Sequence, residues 1–212
     1  PMQHPDAAVA ELERVHREYG FKAVEIATTA PAGEVADPKY RGLLKRAAEL
    51  KMTIFAHPNN IGATGRLDCY YLTNLIGNPL DSTIMVANLI FSGAMDEIPE
   101  LKMLLAHGGG FAPYQVGRFV HGHKVRPEAR ANTSSSPKDL LKRFYFDTIT
   151  HDPQALRFLI DLVGSDHIVL GTDSPFDMGD EHPVDLLDHV PHLTHAERDD
   201  ICCHTARRLL GE

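Results

Sequence analysis

Three side chains able to bind a metal ion stand at the ends of three short apolar segments. His57 follows Thr-Ile-Phe-Ala, His107 follows Leu-Leu-Ala, and Asp173 follows Val-Leu-Gly-Thr. Two imidazoles and one carboxylate suit zinc or another borderline divalent ion. A chain with 13 histidines places some of them at strand ends by chance. Three of five predicted strands end in such a residue, however, and this favours a metal site over coincidence.

The elements that must position these side chains are predicted to be alternating strands and helices. Near-continuous apolar runs are typical of parallel strands that are covered on both faces, and a helical pattern follows each run. Because the carboxyl ends of parallel strands share one edge of a sheet, residues far apart in sequence would converge there. The strands are predicted at residues 23–27, 52–56, 101–106, 144–149 and 168–171.

The helix starts are marked by capping residues and prolines. Asp37-Pro38, Asn78-Pro79 and Asp152-Pro153 each combine a capping side chain with a residue suited to the first helical turn. The spacing of Thr194 and Glu197 is that of a capping box, and it predicts the start of a closing helix.

Composition and charge exclude several classes of function. The 212 residues carry a formal charge of −8 without a basic run, so we expect no nucleic-acid partner. No apolar stretch reaches the roughly 18 residues of a membrane helix, and the chain opens with polar residues. Three cysteines without a Cys-x-x-Cys motif are expected to be reduced packing residues. We therefore predict a cytoplasmic protein of one domain, residues 1–212, with a mobile loop at 130–136.

Four segments around the candidate residues stand out, and they are Phe-Ala-His57-Pro-Asn59, His107-Gly-Gly-Gly-Phe-Ala-Pro-Tyr-Gln-Val-Gly-Arg118, Phe-Asp147-Thr148 and Gly-Thr-Asp173-Ser-Pro-Phe176. They resemble the metal-dependent decarboxylases related to aminocarboxymuconate semialdehyde decarboxylase, within the amidohydrolase superfamily. The resemblance implies a TIM (β/α)₈ barrel with its site at the carboxyl ends of the strands.

The resemblance also implies roles for the residues at the strand ends. His57 and Asp173 would be metal ligands, and the ion would be zinc or, as the alternative, manganese. His107 would be the acid/base residue beside the metal. Asp147 is expected to order its own loop rather than to touch substrate.

Four further residues are expected to bind a small carboxylate substrate. Arg118 would hold its carboxylate from a neighbouring subunit, which implies a homodimer, and Phe176 would lie along the substrate. Asn59 belongs to the same motif as His57. Tyr70 would lend an aromatic ring to the pocket, although the pattern does not distinguish it from Tyr71. The alternatives are a surface helix arginine for Arg118 and simple packing for Phe176.

The chain departs from the family pattern in one large respect. The first strand of the family carries a His-x-His pair, whereas the His121-Gly-His123 of this chain follows the triple glycine and its predicted helix. A complete barrel of this type has about 250 residues. We therefore expect the five or so C-terminal β/α units of the barrel, with the first strands missing from this chain.

These observations leave three functional hypotheses. The first is a non-oxidative decarboxylase of a small aromatic or muconate-like carboxylate. The second is a metal-dependent hydrolase or hydratase that acts on a lactone or cyclic amide at the same site. The third is an inactive truncated fragment that binds no stoichiometric metal.

Overall fold

A five-stranded parallel sheet forms the centre of the computed structural model, which describes residues 1–31, 33–59 and 65–212. The strands lie side by side in chain order, as the predicted strand–helix alternation requires. Their positions agree with the predicted ones to within a few residues. They are β1 Ala23–Ala27, β2 Thr53–His57, β3 Lys102–Leu105, β4 Tyr145–Asp147 and β5 Ile168–Val169.

The strand register brings the carboxyl ends of these strands to one edge. Ala27 of β1 pairs with His57 of β2, and Leu105 of β3 pairs with Phe146 of β4. Asp147, the last residue of β4, pairs with Val169 of β5. Side chains at or just after the strand ends therefore meet across the whole sheet.

Helices and short turns connect the strands. A small antiparallel ribbon of Thr29–Ala30 and Gly33–Glu34 follows β1. Among the described helices, none combines the length and apolar character that crossing a membrane would need. The helices are α1 Pro5–Tyr19, α2 Arg41–Glu49, α3 Asn78–Phe91, α4 Ala94–Glu97, α5 Ala112–Val125, α6 Pro137–Leu141, α7 Pro153–Val163, α8 Pro183–Asp188, α9 His195–Asp199 and α10 Thr205–Leu210.

The core lies between the sheet and the helices that cover it. Helix α7 shows the typical pattern, since its buried residues recur at helical spacing and form one apolar stripe. Phe146 of β4 and Leu105 of β3 are fully buried in the same core. The stripe of α7 consists of Leu156, Leu159, Ile160 and Val163.

Two of the four predicted helix starts are confirmed by side-chain caps. The Asp152 carboxylate accepts the Ala155 N–H at 2.7 Å, and Thr194 and Glu197 form the full capping box. Asp37-Pro38 instead leads into a short 3-10 turn without a side-chain cap. The start predicted at Asn78-Pro79 is confirmed, because α3 begins at Asn78 with proline in its first turn, although a π-helical turn over Thr73–Gly77 leads into it without a side-chain cap.

The structure bears on two further expectations. The loop at 130–136 is attached through Thr133, which is buried and donates its hydroxyl to the Asp96 carboxylate, and the mobility of the loop stays a prediction. The cysteines are free, as predicted, but they are exposed and do not pack in the core. They are Cys69, Cys202 and Cys203.

Candidate active site

The three predicted metal-binding side chains converge at the carboxyl edge of the sheet. Nε2 of His57 lies 3.1 Å from Oδ1 of Asp173, and Nε2 of His107 lies 3.3 Å from its Oδ2. One donor atom from each residue lies within 4.8 Å of the others. All three side chains are largely buried, with 10–18% of their surface exposed. Two imidazoles facing one carboxylate in this way can hold a divalent metal ion.

The backbone at two of these residues adopts a conformation that non-glycine residues avoid. His107 has a φ of 56° and Asp173 a φ of 52°. Left-handed conformations are disfavoured for residues with a Cβ atom, and they persist where the surrounding structure enforces them. Both residues stand where a strand turns sharply into a loop, so the strain coincides with the candidate site.

The triple glycine after His107 is required by close packing. Gly109 and Gly110 have positive φ angles of 74° and 64°. A Cβ atom on Gly110 would lie 2.1 Å from the Pro79 carbonyl oxygen, and one on Gly109 would lie 2.7 Å from the Phe146 ring. Only glycine therefore allows this turn to pack against α3 and the core.

A buried carboxylate, Asp147, ties the turn at His107 to the neighbouring strand. Oδ2 of Asp147 accepts the His107 N–H at 3.0 Å, and Oδ1 accepts the N–H groups of Gly108 at 2.8 Å and Ile149 at 3.1 Å. Burial raises the pKa of Asp147, although these N–H donors oppose the shift. The hydrogen bond from Ile149 confirms that Asp147 orders its own loop. The bonds from His107 and Gly108 show that it also orders the turn at His107.

Two cavities open on the converging side chains. One, of about 570 Å³, is walled by apolar side chains that include Phe111, Phe158 and Leu159. The other, of about 510 Å³, is more polar and lies towards β1. Of the described residues, four line both cavities and so form the boundary between them, and they are Asn74, Asn78, His107 and Asp173.

The predicted substrate-binding residues are distributed unequally around these cavities. The Phe176 ring is stacked on His57, with ring centroids 5.6 Å apart, and both it and Asn59 line the polar cavity. Tyr71 also lines this cavity and donates its hydroxyl to Asp177 at 3.0 Å. Tyr70 is 88% exposed and lines neither cavity, so the structure favours Tyr71 as the aromatic residue at the pocket.

Arg118 lies on the exposed face of α5 and lines neither cavity. It follows one helical turn after Tyr114, which lines the apolar cavity. Within the described residues of one chain it does not reach the site, and its action across a subunit interface stays a prediction. His121 and His123 also lie on α5 rather than at the strand ends, and Nε2 of His123 is 3.1 Å from the Thr133 carbonyl oxygen.

Asn74 and Asn78 were not predicted from the sequence. They lie four residues apart on the π-helical turn and the start of α3, and both are half-buried. Neither side-chain amide hydrogen-bonds to another described residue, which leaves donors and acceptors available at the site. The Asn-x-x-x-Asn spacing could have revealed them, because residues four apart share one helix face. A π-helical turn is itself frequent at functional sites.

Comparison with known proteins agrees with this geometry. A family model described as amidohydrolase matches residues 1–211. The chain belongs to the amidohydrolase family. A 2-amino-3-carboxymuconate-6-semialdehyde decarboxylase of Dictyostelium discoideum is 30% identical over 212 residues, which are 100% of this chain and 59% of that protein. This amidohydrolase chain thus spans about three fifths of the length of that relative.

Solved structures of decarboxylases share the fold of this amidohydrolase. A 5-carboxyvanillate decarboxylase from Sphingomonas paucimobilis has a TM-score of 0.89 at 20% identity, covering 100% of this chain and 64% of that one. A dihydroxybenzoic acid decarboxylase from Polaromonas, solved with manganese and 2-nitroresorcinol, has a TM-score of 0.86 at 23% identity, covering 100% and 67%. The predicted family and fold class, a parallel α/β sheet of the amidohydrolase barrel type, are confirmed.

Proposed function

We propose that this chain belongs to a metal-dependent, non-oxidative decarboxylase of a small aromatic or muconate-like carboxylate. The observation that carries the proposal is the convergence of His57, His107 and Asp173 beside an apolar cavity large enough for one aromatic ring. Membership in the amidohydrolase family and the decarboxylases among its relatives support the same activity.

The proposed roles divide the site into a metal-binding half and a proton-transfer half. His57 and Asp173 hold the divalent ion, which when bound supplies a Lewis acid that draws electron density from the substrate. As the carbon–carbon bond to the leaving CO₂ breaks, its electron pair stays on the substrate carbon. His107 gives that carbon a proton through Nε2 and later regains one from solvent.

The substrate is proposed to lie with its planar body in the apolar cavity. Phe176 covers it from the His57 side, while Asn59 and Tyr71 contribute polar contacts from the other cavity. Arg118 of a neighbouring subunit holds a carboxylate, because a guanidinium binds carboxylate oxygens bidentately. This arrangement requires a homodimer.

Three finer points belong to the same proposal. Zinc is the proposed ion because it accepts both imidazole nitrogen and carboxylate oxygen as ligands, with manganese as the alternative. Residues 1–212 are proposed to form one domain that corresponds to five β/α units of the barrel. The free cysteines agree with a cytoplasmic location, where thiols stay reduced.

The test is a turnover assay with the purified protein, supplied in parallel with zinc and with manganese. Release of CO₂ is measured from 2-amino-3-carboxymuconate semialdehyde, 5-carboxyvanillate and a dihydroxybenzoate. We expect metal-dependent CO₂ release from at least one of them, and no change in the matched control variant His123→Ala. Lactone opening or water addition without CO₂ release would establish the hydrolase or hydratase instead. Absence of bound metal would favour the inactive fragment.

A further inference from the structure

Among the described residues, the His107 ring has a hydrogen-bond partner at only one of its two nitrogens. Nε2 faces Asp173 at 3.3 Å, whereas Nδ1 is buried and has no hydrogen-bond partner among the described residues. In metal sites the second ring nitrogen usually donates to a group that fixes the orientation of the imidazole. Since Nδ1 of His107 lacks such a partner in the described part of the chain, the direction of the ring depends on the contact of Nε2 with Asp173 and on the backbone that carries the ring.

That backbone is in turn held by the Asp147 carboxylate. The left-handed conformation of His107, with φ at 56°, is one that a histidine rarely adopts unaided. Its N–H donates to Oδ2 of Asp147 at 3.0 Å, and the next N–H, that of Gly108, donates to Oδ1 at 2.8 Å. Two consecutive N–H groups are therefore bound by one side chain at the point where the chain turns.

Asp147 is itself fixed from three sides, so it can act as an anchor. It is 6% exposed and ends β4, where it pairs with Val169 of β5. Its Oδ1 also accepts the Ile149 N–H at 3.1 Å. A Cβ atom on Gly171 would lie 3.0 Å from the Asp147 Cβ, which shows how closely the segment after β5 packs against it.

We propose that Asp147 is a positioning residue, whose carboxylate holds His107 in the left-handed conformation that directs Nε2 towards Asp173. The expected effect on kcat rests on the proposed function. The expected position of His107 does not, because it depends only on the hydrogen bonds that Asp147 makes. Both carboxylate oxygens are engaged by backbone donors, so the role needs a side chain that only accepts hydrogen bonds.

Asp147→Asn tests this requirement with the smallest change in volume. An amide offers one acceptor oxygen and two N–H donors. Whichever way it is oriented, its NH₂ group faces at least one of the backbone N–H groups that the carboxylate binds. The variant should therefore release His107 while the chain still folds.

The matched control is Asp152→Ala, in the loop that follows Asp147. Asp152 also accepts a backbone N–H, that of Ala155 at 2.7 Å, but it caps α7 and lines neither cavity. We expect Asp147→Asn to lower kcat by about 10- to 100-fold, the usual effect of losing a group that orients an active-site histidine. KM should stay near the wild-type value. Asp152→Ala should lower thermal stability and leave kcat unchanged.

A crystal structure of Asp147→Asn supplies the second readout, and it needs no turnover. We expect His107 to leave the left-handed region and Nε2 to move away from Asp173. An unmoved His107 would overturn the proposal, and so would an unchanged kcat in an active enzyme. If Asp147→Asn does not fold, Asp147→Ser serves in the same two measurements. If the wild-type protein has no decarboxylase activity, the proposed function is refuted but this inference is not. The position of His107 in the crystal structure of Asp147→Asn would still decide it.

Discussion

The site loops and the closing helix use carboxylates in opposite ways. At α9, Glu197 accepts the Thr194 N–H at 2.8 Å and pairs with Arg157 at 2.9 Å, and Arg157 lowers the pKa of Glu197 to about 2. At the site, burial raises the pKa of Asp147, and Nδ1 of His107 has no partner among the described residues. The carboxylate of the closing helix is thus paired with a cation, whereas the buried carboxylate at the site accepts backbone N–H groups and lies beside an imidazole nitrogen without a partner in the described part of the chain.

This difference implies that the two regions contribute to different properties. An ion pair between two side chains of the same chain, such as that of Arg157 with Glu197, contributes to the stability of the fold and offers little to a ligand. Left-handed residues and unpaired polar atoms lower stability, and they persist where binding or catalysis depends on them. Changes at the site should therefore affect function more than stability, and changes at the closing helix should do the reverse.

The largest effect is expected from Asp173→Ala. Its carboxylate faces both His57 and His107, so the metal site would lose the group that joins its two halves. Bound metal and turnover should disappear together, as measured by elemental analysis and CO₂ release, while the melting temperature stays near wild type. Asp139→Ala, at an exposed position of α6, is the control. Retention of one metal ion per chain would show that Asp173 is not a ligand.

His107→Ala should separate the two halves of the site. We expect the metal to remain and turnover to fall about 10²- to 10⁴-fold, the usual contribution of a general acid or base. His57→Ala, in contrast, should lose the metal as well. The comparison is made by elemental analysis and by kcat on the same samples. Loss of metal from the His107 variant would make His107 a ligand and contradict the proposed division of roles.

Asn74→Ala should have a smaller effect, confined to substrate binding. Its half-buried amide is unpaired among the described residues and lines both cavities. Removal of a hydrogen bond to a charged group costs about 1.5–3 kcal/mol, which corresponds to a KM about 10- to 100-fold higher. Ile76→Ala, on the same π-helical turn but outside both cavities, is the control. Equal KM values for the two variants would argue against a contact between Asn74 and substrate.

The smallest effect is expected from Glu197→Gln, and it should fall on stability alone. Loss of a partly exposed ion pair costs up to about 1 kcal/mol, or a melting temperature a few degrees lower, with kcat unchanged. Because the pKa of Glu197 is lowered from 4.5 to about 2, its contribution is present above pH 4.5 and is lost as the pH falls towards 2. Thermal melts of both proteins across this range should converge at the acidic end. A constant difference would show that the carboxylate charge is not its source.

Much of the scaffold was predictable because its determinants are local. Each strand is a short apolar run, and each confirmed cap involves residues only three apart, such as Asp152 with Ala155. Parallel pairing then places His57, His107 and Asp173 at one edge of the sheet, and this does not depend on where the connecting helices begin or end. The start of α3 at Asn78-Pro79 was predictable for the same reason, but the π-helical turn over Thr73–Gly77 before it was not, because no capping or proline pattern marks that turn.

The sequence by itself therefore determined the order of the strands, the family and the three side chains that converge at the site. The tertiary structure decided that Tyr71 rather than Tyr70 lines a cavity, that Asn74 and Asn78 stand between two cavities, and that Asp147 binds the turn at His107. The physical reason is that these features depend on left-handed backbone angles and on contacts between distant residues, 40 positions apart for His107 with Asp147 and 106 for Tyr71 with Asp177. Periodicity reports which face of an element is buried, and it carries no information about such contacts.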